Sequence, residues 1–128
     1  MEEIPGLQIP KKTFNPLEMD GHRFVFPEPN TEQAENNEIQ YILGDMSAQK
    51  DVWEPNTTKV VKKYLKKGEI AVDIGASVGY FTLLFARQVG RKGKVFSFEA
   101  TPYRFKYMCK NVEENRYKDR VFPFHIAA

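Results

Sequence analysis

The chain has 128 residues, is 41% hydrophobic and 28% charged, and carries a formal net charge of +2 with a single cysteine. That is one domain's worth of chain, too apolar for a disordered tail, and no apolar run approaches the ~18 residues of a membrane span. Met1-Glu-Glu-Ile-Pro5 is acidic and broken by proline, so it does not read as a signal peptide, and the lone Cys109 excludes an internal disulfide framework. The expectation is a soluble cytoplasmic domain. Residues 1–50 hold nine acids against four bases, residues 51–128 eight against fifteen. A basic half either meets an anion such as nucleic acid or is a solvated face. Lys66, Lys67, Lys92 and Lys94 fall at helix ends and turns with little aromatic interleaving, which favours the solvated face and disfavours nucleic acid as a partner.

In chain order, residues 1–50 read as an N-terminal extension with short strands rather than a second domain. His22 to Phe26 is a brief strand stopped by Pro27 and Pro29, Asn30 to Glu38 a polar loop, and Ile39 to Leu43 a strand or a short helix. From Asp51 the signals sharpen. Asn56 or Thr57 caps a helix with an apolar stripe of Val60, Val61, Tyr64 and Leu65, closed by Lys66, Lys67 and Gly68. Ile70 to Ile74 is a nearly continuous apolar run, the pattern of a strand buried on both faces. Gly75 to Gly79 makes a tight turn into a helix from Tyr80 to Val89, with Phe81, Leu84, Phe85 and Ala86 inward. Lys94 to Phe98 is a second strand. Thr101 caps a third helix with Pro102 at its first position and Phe105, Met108, Cys109 and Val112 inward; Arg120 to Ile126 is a third strand. Helix and strand alternate throughout residues 51–128, which predicts an α/β, Rossmann-like parallel sheet with flanking helices.

The chemistry concentrates in Asp73-Ile-Gly-Ala-Ser-Val-Gly79 and in Glu99 at the end of the next strand. A glycine turn after a strand admits a ligand close to backbone, and an acid after the following strand can accept from ribose hydroxyls. The dinucleotide pattern G-x-G-x-x-G needs glycines at 75, 77 and 80; Ser77 and Tyr80 stand at two of these positions, which argues against a pyrophosphate on the helix N-terminus. The pattern present is D-x-G-x-x-x-G. An acid at the strand end suits a cofactor whose near end carries an ammonium and a sulfonium, which points to S-adenosylmethionine. No phosphate-cradling G-x-x-x-x-G-K-[ST] is present. Gly75 and Gly79 taken alone also fit a plain β–α turn.

With those residues in view, the runs Val72 to Leu84 and Gly93 to Pro102, together with Trp53-Glu54, Asn111 and Asn115, resemble the FkbM family of class I S-adenosylmethionine-dependent methyltransferases over roughly residues 45–128. Two departures stand out: Ser77 replaces an asparagine of the glycine motif, and Ala100 a proline after the acid. The resemblance implies that Gly75, Ala76, Ser77 and Gly79 form the turn under the methionine part of the cofactor. It further implies that Asp73 orients that turn and the ammonium, that Glu99 takes the ribose diol, that Ala100 and Thr101 lie near adenine, and that Glu54 reaches in from the preceding segment. It also implies O-methylation of a small-molecule or sugar hydroxyl.

Residues 51–128 supply three of the seven strands the resemblance implies, in the order 3-2-1-4-5-7-6. The reading is therefore the N-terminal half of a methyltransferase domain, a fragment inactive alone, with an open edge through which copies could associate. Two alternatives stay open: a non-catalytic remnant or interaction module, and an RNA methyltransferase motivated by the basic half. Cys109 reads as a structural thiol, His22 and His125 as plain strand residues, Trp53 as a sheet cap, and no metal site is expected.

Overall fold

The computed structural model describes residues 17–25, 33–49 and 51–127, with residues 33–36 described by their backbone. The element order is β1 (Leu17–Met19), β2 (His22–Phe24), α1 (Gln33–Ala48), α2 (Pro55–Tyr64), β3 (Ile70–Ile74), α3 (Tyr80–Val89), β4 (Lys94–Phe98), α4 (Pro102–Glu114) and β5 (Val121–Phe124). Strands β3, β4 and β5 form a parallel sheet in that order, with Ile70 opposite Lys94 and Val95 opposite Val121. This is the expected Rossmann-like arrangement, with β3 at an edge.

Both crossovers step in the same direction across the sheet, so a shared right hand puts α3 and α4 on the same face. That face carries Ala71, Asp73, Val95, Ser97 and Val121, all buried. The opposite face carries Ile70, Val72 and Ile74 of β3 and Phe122 and Phe124 of β5, all exposed. The expectation that β3 is buried on both faces is therefore corrected. Its apolar run is continuous, but the described helices cover one side.

Two stretches of the N-terminal region, residues 17–25 and 33–49, differ from the sequence expectation. β1 and β2 pair antiparallel around Asp20-Gly21, whose positive φ values of 50° and 77° are those of a tight hairpin turn. Residues 33–38, expected as loop, belong to α1, as do residues 39–43; Phe26, Pro27, Pro29 and Asn30 lie outside the described residues. The Glu38 carboxylate is taken by Tyr103 and Arg104 of α4, which fastens α1 to that helix. Met19, Phe24, Ile39, Leu43 and Met46 join Ala71, Leu83, Val95, Tyr107 and Val112 in one apolar cluster.

Helix faces also shift by a residue or two. In α2, Thr58 is buried while Val60 and Tyr64 are exposed, because the Thr58 hydroxyl donates to the Trp53 carbonyl at 2.7 Å and meets the Tyr80 hydroxyl at 3.1 Å. Neither Asn56 nor Thr57 caps this helix; Glu54 holds the cap position with φ 43° and no side-chain cap. In α4, Tyr107, Met108, Asn111 and Val112 face inward, and Phe105 and Cys109 are half-buried. Asn111 is buried without loss because it donates to the Val78 carbonyl and accepts the Val25 N–H, while Asn115 accepts from Arg23 N–H and donates to its carbonyl. These two asparagines fasten the hairpin to α4.

Candidate functional site

The site forms where β3 and β4 end. Ile74 leads into Gly75, whose N–H donates to the Phe98 carbonyl at 2.9 Å; the Ala76 N–H reaches the same oxygen at 3.0 Å. Gly75 has φ 75°, and a Cβ placed there would meet nothing within 4 Å. Glycine is thus required by backbone conformation, and it leaves open space above the turn. Ser77 is also left-handed, at φ 53°. Gly79 closes the turn through its N–H to the Ala76 carbonyl and backs onto Met108 of α4.

Glu99 ties this turn to the next. One carboxylate oxygen accepts the Ser77 N–H at 2.6 Å and the other the Thr101 N–H at 3.0 Å. The residue is buried, yet each oxygen keeps a second acceptor position. Asp73 lies on the helix side of the sheet. Its carboxylate accepts the Thr82 hydroxyl at 2.7 Å. Gly79 offers no side-chain cap to α3, and Asp73 stands beside the first turn of that helix from the neighbouring strand. Burial pushes the Asp73 carboxyl above its ordinary range, the Thr82 bonds pull it down, and the Glu99 charge pushes it up again.

This arrangement selects among cofactors. The N-terminus of α3 already faces a carboxylate, so a phosphate placed there would meet like charge. Two buried carboxylates beside an open glycine turn fit a cationic ligand with a diol to be held, which is the chemistry of S-adenosylmethionine.

Of the residues expected at the site, Asp73, Gly75, Ala76, Ser77, Gly79, Glu99 and Thr101 converge on this end of the sheet. Ala100 is exposed beside them, its carbonyl 3.1 Å from the His125 ring nitrogen. Glu54, at the N-terminus of α2, is exposed, and its carboxylate makes no hydrogen bond among the described residues. Thr82 and Ser97 are buried at the centre of the site although the sequence reading did not single them out. The signal available was their period: Thr82 lies three residues past Gly79, and Ser97 is paired with Asp73 in the β3–β4 register. Cys109 is half-buried with its thiol pushed up by burial, and no group of metal-ligating side chains gathers among the described residues. No described helix is long and apolar enough to cross a membrane.

Comparison with known proteins decides the family. The model of the TRM5/TYW2 methyltransferase domain matches residues 36–127. The chain belongs to that family. The FkbM resemblance is corrected accordingly: the shared glycine turn and strand-end acid are common ground of the fold, and the match beyond them is to the TRM5/TYW2 domain. A curated relative, the tRNA(Phe) (4-demethylwyosine(37)-C(7)) aminocarboxypropyltransferase of Pyrococcus horikoshii, is 34% identical over 64 residues, which is 50% of this chain and 22% of the relative. A protein-L-isoaspartate O-methyltransferase of Triticum aestivum is 33% identical over 73 residues, 54% of this chain and 32% of the relative. Among solved structures, M. jannaschii TYW2 in complex with AdoMet superposes with a TM-score of 0.58 at 22% identity, covering 91% of this chain and 44% of that one, a likeness of fold.

The chain thus spans about a third or less of the length of these curated relatives. The expectation of a small-molecule or sugar acceptor, with nucleic acid disfavoured, is overturned. The family is that of TRM5 and TYW2, and the P. horikoshii relative bears the name of a tRNA-modifying enzyme. Lysines at helix ends serve both readings alike, so charge position was a weak discriminator.

Proposed function

We propose that this TRM5/TYW2-family chain carries the cofactor-binding part of an S-adenosylmethionine-dependent transferase that modifies a tRNA base. The observation that carries the reading is the pair of buried carboxylates, Asp73 and Glu99, flanking the open turn at Gly75. In this reading Glu99 uses its remaining acceptor positions for the ribose hydroxyls, while its bonds to Ser77 and Thr101 fix the two turns around the nucleoside. Gly75 to Gly79 presents backbone to the methionine part, Asp73 supplies negative charge behind the turn, and Ala100 and Thr101 border the adenine. Bound there, S-adenosylmethionine supplies an electrophilic carbon beside its sulfonium. The chain's contribution is to hold that carbon in line with an incoming base, a rate gain made by positioning.

The family description favours the methyl group as the one transferred. Aminocarboxypropyl transfer is a second reading, favoured by the name of the P. horikoshii relative. The test uses S-adenosylmethionine labelled either in the methyl group or in the methionine carboxyl, incubated with the chain and unmodified tRNA. Methyl label in RNA supports the first reading and carboxyl label the second. Cofactor binding with neither label transferred is the outcome expected if residues 1–128 supply the cofactor-binding part alone, and a folded chain that does not bind S-adenosylmethionine rejects the reading.

A further inference from the structure

Beneath the glycine turn lies a short chain of hydroxyls that the cofactor reading does not use. The Thr82 hydroxyl is 2.7 Å from an Asp73 oxygen and 2.8 Å from the Ser97 hydroxyl, with the Met108 sulfur at 3.9 Å. Thr82 and Ser97 are fully buried. A hydroxyl has one proton to give. The carboxylate is the strongest acceptor in reach, so Thr82 donates to Asp73 and Ser97 must donate to Thr82. The direction of the chain is fixed by chemistry, and it ends on the acid behind the cofactor turn.

We propose that Thr82, oriented by Ser97, is the positioning residue that keeps Asp73 a fixed carboxylate under the Gly75–Gly79 turn for the cationic end of the cofactor. The inference rests on the proposed cofactor reading. Strand β4 supplies Ser97 and the residue just after it, Glu99, while α3 supplies Thr82 and α4 supplies Met108. Of these groups Glu99 alone carries charge, and it opposes ionisation of Asp73. The Thr82 hydroxyl is therefore the side-chain donor that works against both burial and the neighbouring acid. A valine of the same shape would leave the packing in place and remove that donor.

The experiment follows the Asp73 side-chain carboxyl by carbon-13 NMR across pH in wild type, Thr82→Val, Thr82→Ser and Ser97→Ala. Calorimetric S-adenosylmethionine affinity is measured over the same range, and Asp73→Asn serves as the control that removes the group. In Thr82→Val the Asp73 midpoint should rise by about one pH unit, and the acid weakening of cofactor affinity should begin about one pH unit higher. Thr82→Ser should restore both, and Ser97→Ala should move them part of the way. A Thr82→Val protein with a native amide spectrum and an unmoved Asp73 midpoint overturns the inference. If that variant does not fold, an unmoved midpoint in Ser97→Ala overturns it instead. A folded wild type that does not bind S-adenosylmethionine ends the cofactor reading and this inference with it, whereas binding with an unmoved midpoint ends the inference alone.

Discussion

Glu99 has two tasks that graded substitutions weigh against each other. Its carboxylate both bridges the Ser77 and Thr101 amides and offers acceptors to a diol. Glu99→Gln keeps the shape and one acceptor oxygen but sets its NH2 against one of the two amides, so it should weaken S-adenosylmethionine binding about tenfold and lower the melting temperature slightly. Glu99→Ala should weaken it further and lower the melting temperature, since two buried N–H groups lose their partner. Calorimetry and thermal melts on both variants check this. Gly93 sits at a tighter spot than any glycine of the site. A Cβ there would stand 2.7 Å from the Glu69 carbonyl oxygen and closer still to the Val89 side chain. Gly93→Ala should therefore cost about 2 kcal/mol or more in a denaturant titration, because backbone and core must both move. Gly75→Ala meets open space, so its loss would appear as backbone strain and in cofactor affinity.

At the scale of elements, the hairpin is held by groups that titrate. Asp20 bonds Lys62 of α2 and Arg87 of α3, and His22 lies buried with its Nε2 2.8 Å from the Tyr117 hydroxyl. Burial, followed by the Arg87 charge, pushes the His22 pKa down to about 4 from 6.5. A base with a depressed folded pKa binds its proton more readily when unfolded. Its stabilising contribution is present above pH 6.5 and is lost as pH falls toward 4, by about 3 kcal/mol in all. Asp20 adds to the acid sensitivity lower down: burial raises it, but the Lys62 and Arg87 bonds and charges leave it net lowered. Amide protection factors at residues 17–25, with exchange rates corrected for their intrinsic pH dependence, should fall between pH 6.5 and 4 before the sheet opens, and unchanged protection over that range would contradict the assignment. The hairpin was readable from Asp20-Gly21, a strong turn dipeptide. The flanking strands have three residues each, too few for a period to register beside it. Helices α3 and α4 were placed closely, yet their inward faces were offset. Tyr80, Asn111 and Thr58 bury polar atoms that pair across elements, and apolar periodicity cannot see such pairs.

At the scale of the whole molecule, the sheet has one sealed face and one open apolar face, and substitutions should read that difference directly. Val72→Lys, on a side chain 54% exposed, should be tolerated within about 1 kcal/mol. Val95→Lys, at a fully buried position, should prevent folding, because a charge there has neither partner nor water. Circular dichroism melts of the two variants distinguish them, and equal losses would refute the one-faced architecture. The sequence by itself determined the order of elements from residue 55, the parallel sheet, the glycine turn and the acid that follows β4. These rest on local signals of period, glycine, proline and spacing. Only the tertiary structure decided which face of the sheet is covered, that Asp73 accepts the Thr82 hydroxyl, and that Ser97 meets the same hydroxyl from β4. Those facts depend on which side chains meet across elements far apart in the chain, and such contacts leave no mark in the local pattern of either element.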